Sequence, residues 1–222
     1  LYECNPQKIR ITGSPRTDII LAKRKIEYFE RIKKDNPTAK LIVYTPTHRN
    51  FAQNDKVHLS NEEWSKLNEF LRANNYILFF KPHPLELYKY IESFGNYTNI
   101  VLIRYSMVEE TSDFNEYMHY FDMLISDYSS ISTDFILFNR PVIHYMYDMD
   151  TFEDAFFKLN ALDKFIAGPI VKTLDDMVSK IKECFNQDNY TELRQRALVN
   201  AYKYIDTYNC ERIFNTIIKI LK

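Results

Sequence analysis

The 222-residue chain is 45% hydrophobic and 27% charged, a balance that excludes a disordered chain and supports a well-buried core. Its 29 basic and 30 acidic residues leave a net charge of −1, without the basic excess of a nucleic-acid binder. Gly is scarce at 3 residues, so neither a G-x-G-x-x-G turn nor a Walker loop can be built.

Short strand signals and helical patterns alternate along the chain, the arrangement of a βαβ protein with a parallel sheet. An opening helix is predicted from Thr17 to about Asp35, followed by a strand over Lys40 to Thr45 that Pro46 stops. Asn61 to Asn74 reads as a helix, with Trp64, Leu67, Phe70 and Leu71 at core-facing spacing. Strands are predicted at Tyr76 to Phe80 and Ile100 to Ile103. A helix is predicted over Phe114 to Tyr120, then a strand at Met123 to Ile125. A polar turn, Ser126-Asp127-Tyr128-Ser129-Ser130, leads into a helical pattern that Asn139-Arg140-Pro141 ends, and Val142 to Tyr145 forms the fifth strand. Helices near Thr173 to Phe185, Tyr190 to Asp206 and Cys210 to Leu221 close the chain. With no repeat or linker, the pattern predicts one domain over 1–222, a doubly wound α/β layer of five or six parallel strands.

Cys4, Cys184 and Cys210 are odd in number and far apart, which reads as reduced cytoplasmic thiols rather than a disulfide framework or zinc site. No apolar run reaches the length of a membrane span, and the first residues lack a charged-then-apolar leader pattern. The chain starts at Leu1 without Met and is expected to be a piece of a longer protein.

In an open parallel sheet, ligands bind beyond the carboxyl ends of the strands, where strand order reverses. The polar segments of this chain gather on that edge. Strand one ends at Thr45-Pro46-Thr47-His48-Arg49, strand two at Lys81-Pro82-His83-Pro84, and strand four at the serine turn. Two histidines, an arginine, a lysine and a serine pair would converge there, which suits an anionic ligand. Ser129 and Ser130 at a helix start fit phosphate binding by unpaired N–H groups, and equally fit plain capping. His83, held extended between two prolines, is read as functional, and Arg49 as a bidentate phosphate contact. His48 is left open between the two roles. Asp127 reads as a turn cap rather than a catalytic base. His58 and His119 read as structural, and Asp148-Met149-Asp150 as a cap for the segment after it. The chain has no H-x-x-x-H and no Cys cluster for a metal, and Asp148-Met149-Asp150, though spaced like a D-x-D pair, is assigned to capping.

Several phrases occur in order: Thr12-Gly13-Ser14-Pro15-Arg16-Thr17-Asp18, Tyr44-Thr45-Pro46-Thr47-His48-Arg49, Lys81-Pro82-His83-Pro84, Ser126-Asp127-Tyr128-Ser129-Ser130, Arg140-Pro141-Val142, Tyr147-Asp148 and Ala167-Gly168-Pro169-Ile170-Val171-Lys172-Thr173. Together they resemble the CDP-glycerol glycerophosphotransferase family, which polymerises teichoic acids and related capsule backbones. The resemblance runs from Gly13 to about Arg212 and corresponds to the C-terminal, nucleotide-binding half of a glycosyltransferase-B type fold. It implies a CDP-linked polyol donor and a polymer or lipid-linked acceptor, with no cofactor beyond the activated donor. His83 would be the catalytic residue at the pyrophosphate, beside Ser129 and Ser130. Thr47, Arg49, Lys81, Asp127, Gly13 and Arg16 complete the implied donor-phosphate set. The family's general base, a second histidine, would lie in an N-terminal acceptor half. The resemblance also implies a cytoplasmic enzyme, peripheral at the inner face of the bacterial membrane. The chain departs from it at Thr47-His48-Arg49, where relatives often carry Trp before the Arg. Two other readings are a glycosyltransferase or epimerase of the same fold using a UDP- or CMP-sugar, and a non-catalytic nucleotide-binding module.

Overall fold

The computed structural model describes residues 5–49, 59–91, 93–104, 107–108, 113–149 and 164–221. Its centre is a six-stranded sheet: β1 (Lys40–Thr45), β2 (Tyr76–Phe80), β3 (Ile100–Leu102), β4 (Met123–Ser126), β5 (Val142–Tyr145) and β6 (Ile170–Val171). The order is β3-β2-β1-β4-β5-β6 and every pairing is parallel. The chain builds outward from β1 to β3, then returns to β4 on the other side of β1. The order therefore reverses between β1 and β4, and the ends of those strands open a crevice.

Helices cover both faces: α1 (Pro15–Ala22), α2 (Glu27–Asp35), α3 (Asn61–Ala73), α4 (Phe114–Tyr117), α5 (Ile131–Phe135), α6 (Leu174–Asn186), α7 (Thr191–Ala201) and α8 (Asn209–Leu221). Successive strand side chains point to opposite faces, so each strand feeds two cores. Ile42, Tyr44, Leu78, Phe80 and Ile125 pack with Trp64, Leu67 and Leu71 of α3 and with Met177 and Ile181 of α6. Leu41, Val43, Phe79 and Leu124 pack on the other face with Phe29 of α2, Tyr117, Phe121, Phe135 and Ala197. Among the described residues, no helix is long and apolar enough to cross a membrane.

The opening helix is two helices. Ile20 and Phe29, both fully buried, are nine residues apart and would face opposite sides of a continuous helix. Lys23, at φ 49, breaks the chain so that both can face the core. The helix after the serine turn is short, passing at Ile136 into a 3-10 turn that ends at left-handed Asn139. The last-but-one helix stops at Ala201 rather than near Asp206. A 3-10 helix, Pro84–Lys89, follows His83, and the two-residue β6 is too short for a sequence pattern. Cys184 is a buried free thiol pushed up to about 11 by burial, and Cys210 is exposed and free. Cys4, His58 and Asp150 lie outside the described residues.

Candidate functional site

The ends of β1 and β4 are stitched together. Thr45 and Ser126 are register partners, and the Ser126 hydroxyl donates to the Thr45 carbonyl at 2.8 Å. One residue beyond β4, the buried Asp127 carboxylate accepts the Thr47 N–H at 2.9 Å and the Thr47 hydroxyl. Asp127 thus caps a turn, as its sequence suggests, but the turn is the one after β1.

Arg49 is the second stitch. Its Nη2 lies 2.9 Å from Asp127 Oδ2 and its Nε 2.6 Å from Asp148 Oδ2, just past β5. Its guanidinium sits 5.4 Å from the Tyr128 ring centroid and 5.7 Å from that of Tyr147. Burial works against the charge, but the Asp148 hydrogen bond and the Asp127 charge outweigh it and raise the Arg49 pKa. At 6% exposure, this side chain joins three strand ends instead of pointing into the crevice. Asp148, read from sequence as a cap, is its ion-pair partner.

His83 begins the 3-10 helix after β2, and its Nδ1 accepts the Leu85 N–H at 3.3 Å. That bond assigns the proton of the neutral ring to Nε2, leaving Nε2–H as a donor. Its pKa is lowered by burial first, then by neighbouring His48 and Lys81, while Glu86 opposes the shift. Lys81 lies 5.3 Å from the Phe114 ring centroid, and burial lowers its pKa. Beside it, between the ends of β2 and β3, is a cavity of about 200 Å³ lined by Lys81, Pro82, Pro84, Ile103, Arg104, Asp113, Phe114 and Tyr117.

The serine turn divides its roles. Ser129 Oγ accepts the Ile131 N–H at 3.3 Å, a cap, whereas the exposed Ser130 makes no side-chain cap. α5 has five residues, so any anion affinity here comes from local N–H groups more than from a helix dipole.

Gly13 packs against the start of α8, and Arg16 reaches α5, the helix that the serine turn begins. Gly13 has φ +91, and a Cβ there would lie 1.7 Å from Asn209 Oδ1, so it fits the joint with α8. Arg16 pairs at 2.9 Å with Asp134, which also accepts the Tyr202 hydroxyl at 3.0 Å. Asp18 accepts the N–H groups of Asn209 and Cys210 and so caps α8. The Thr12–Asp18 phrase therefore clasps the two ends of the domain.

His144 is buried in β5, where its Nε2 accepts the Ala167 N–H at 3.1 Å. Burial lowers its pKa to about 4, so it is a neutral strut. His119 lies before β4, at the amino edge of the sheet. Sequence reasoning passed over Glu86, which is 1% exposed beside His48. Its position three residues after His83 was the available signal, since i and i+3 eclipse in a 3-10 turn. Among the described residues, no group of three or more His, Cys, Asp or Glu is placed to hold a metal ion.

This strand order and carboxyl edge define a doubly wound, Rossmann-like α/β domain. The sequence profile of the CDP-Glycerol:Poly(glycerophosphate) glycerophosphotransferase family matches residues 1–219, and the chain belongs to that family. It is 31% identical to the teichoic acid poly(ribitol-phosphate) polymerase of Bacillus spizizenii, over 80% of this chain and 28% of that protein. It is 28% identical to the teichoic acid glycerol-phosphate transferase of Staphylococcus aureus, over 98% of this chain and 56% of that protein. A variant of the wall teichoic acid polymerase TagF superposes with a TM-score of 0.75 at 22% identity, over 97% of this chain and 53% of that one. A UDP-N-acetylglucosamine 2-epimerase from Listeria monocytogenes gives 0.62 at 16% identity, over 99% of this chain and 55% of that one. The two structural likenesses concern the fold alone. The chain spans between 28% and 56% of the length of these relatives.

Proposed function

We propose that this domain binds the CDP-linked polyol donor of a polyol-phosphate transferase and holds its diphosphate for attack. The observation that carries this reading is the placement of His83 and the Ser129-Ser130 turn on either side of the β1 end. β2 and β4 flank β1, so the two groups stand two strand spacings apart, roughly 10 Å, room for a diphosphate. The nucleoside takes the cavity beside Lys81, where Arg104 and Asp113 offer polar contacts to a base.

In the reaction, an acceptor hydroxyl oxygen bonds to the β-phosphorus, the bond to the bridging oxygen breaks, and CMP leaves. His83 Nε2–H donates to the phosphate as charge builds on the leaving group. The hydroxyl proton goes to a base in a companion acceptor-binding half of the enzyme. The acceptor is a growing polymer or lipid-linked chain, and the whole enzyme works at the inner face of the membrane. Arg49 and Asp127 fix the strand ends that carry the site, and Thr47 is held with them. Lys81 and Ser130 meet phosphate oxygens. The activated donor is the sole small molecule this chemistry requires.

Replacing Ser129 and Ser130 together by Ala tests the phosphate role. CDP affinity should fall about tenfold, while stability falls only about 1 kcal/mol, the worth of the Ser129 cap. Unchanged CDP affinity with the same small stability loss would leave the serines as structural caps.

A further inference from the structure

His48 lies outside the roles assigned above, yet its surroundings are specific. Its Nδ1 is 3.7 Å from Glu86 Oε1 and, among the described residues, has no hydrogen-bond partner. Glu86 is 1% exposed and is fixed on the turn that His83 starts, its N–H donating to the His83 carbonyl at 2.8 Å. The rings of His48 and His83 lie 5.0 Å apart at 30°. A buried carboxylate and two facing imidazoles therefore stand in a row at the mouth of the crevice.

A buried carboxylate favours a cation beside it. Lys89 approaches Glu86 at 3.6 Å from an exposed position, whereas His48 approaches from the crevice side with its ring against His83. Two imidazolium rings at that separation repel, so the pair resists a second proton until an anion compensates it. Lys81 from the end of β2 and Glu86 from the 3-10 helix act on His83, Lys89 of the same helix approaches Glu86, and Arg49, next to His48 in the chain, is held by Asp127 and Asp148. Arg49 is already matched by two carboxylates, so the missing counter-charge is one that a ligand brings.

We infer that His48, positioned by Glu86, is a second imidazole of the diphosphate site, and that the His48–His83 pair takes up a proton when the diphosphate binds. The inference rests on reading this edge as the diphosphate site. His48 is a positioning residue: its charge sets the state of His83 and the electrostatics that the β-phosphate meets.

Two measurements test it on the chain as it stands. In an NMR pH titration of the histidine ring protons, His48→Gln should raise the His83 midpoint by about half a unit or more. His48 is a third exposed in a loop, so His48→Gln should melt like the parent. In calorimetry at pH 7 in buffers of different ionisation enthalpy, CDP and inorganic pyrophosphate are the probes. The parent should take up about half a proton or more per CDP, and His48→Gln close to none, with several-fold weaker binding at pH 6 that converges at pH 8.5. CDP binding with equal proton uptake in both proteins, or none in either, overturns the inference and leaves the donor-site reading intact. Pyrophosphate binding with His48-dependent uptake, but no CDP binding, supports the pair and removes the cytidylyl reading. Binding of neither probe, or a His83 midpoint indifferent to His48, removes the inference.

Discussion

Arg49 meets Asp127 at 2.9 Å and Asp148 at 2.6 Å, and its guanidinium fork is what allows one cation to serve both. Arg49→Ala leaves the buried Asp127 and the mostly covered Asp148 without their cation and should destabilise the domain by about 3–5 kcal/mol in urea unfolding. Arg49→Lys should recover only part, because one ammonium cannot reproduce the two-sided contact. His144 adds a pH dependence. Its unfolded imidazole protonates near pH 6.5, but the folded one resists to about 4, so the unfolded state binds more protons between those values. Stability should therefore fall by about 3 kcal/mol as pH drops from 6.5 towards 4, with burial at His119 and His83 acting in the same direction. His144→Gln should flatten that decline in unfolding curves collected across the range. Arg49, Asp127 and His83 were all legible as unusual residues at strand ends. Their partners were not, since 99 residues separate Arg49 from Asp148 and only the topology joins them.

At the scale of elements, periodicity carried most of the information. β1, β2 and β5 run as their apolar runs predict, because buried parallel strands read as unbroken hydrophobic segments. α3 starts at a capping box in which Ser60 accepts the Glu63 N–H and Glu63 accepts the Ser60 N–H. Ser60→Ala should cost about 1 kcal/mol by thermal or urea unfolding. The break at Lys23 was hidden, because it is imposed by the need to bury both Ile20 and Phe29 rather than by a Gly or Pro. β6 was hidden by its length. It lies beside β5 because Gly168 has no side chain: a Cβ there would come 1.8 Å from the Val142 carbonyl oxygen. Gly168→Ala should push β6 off the sheet and cost about 2–3 kcal/mol, read from the urea midpoint.

For the whole molecule, alternating elements gave a parallel α/β layer, but strand order depends on which face each crossover takes. That order places the β1 and β4 ends side by side and makes the crevice between His83 and the serine turn. The direct test of a cytidylyl-donor domain is a calorimetric comparison of CDP-glycerol, CDP-ribitol and CDP with UDP and UDP-N-acetylglucosamine. Binding of the cytidine compounds at least tenfold more tightly than the uridine ones is the predicted result. Equal affinities would show a generic phosphate site, and preference for the uridine compounds would contradict a CDP-polyol donor outright.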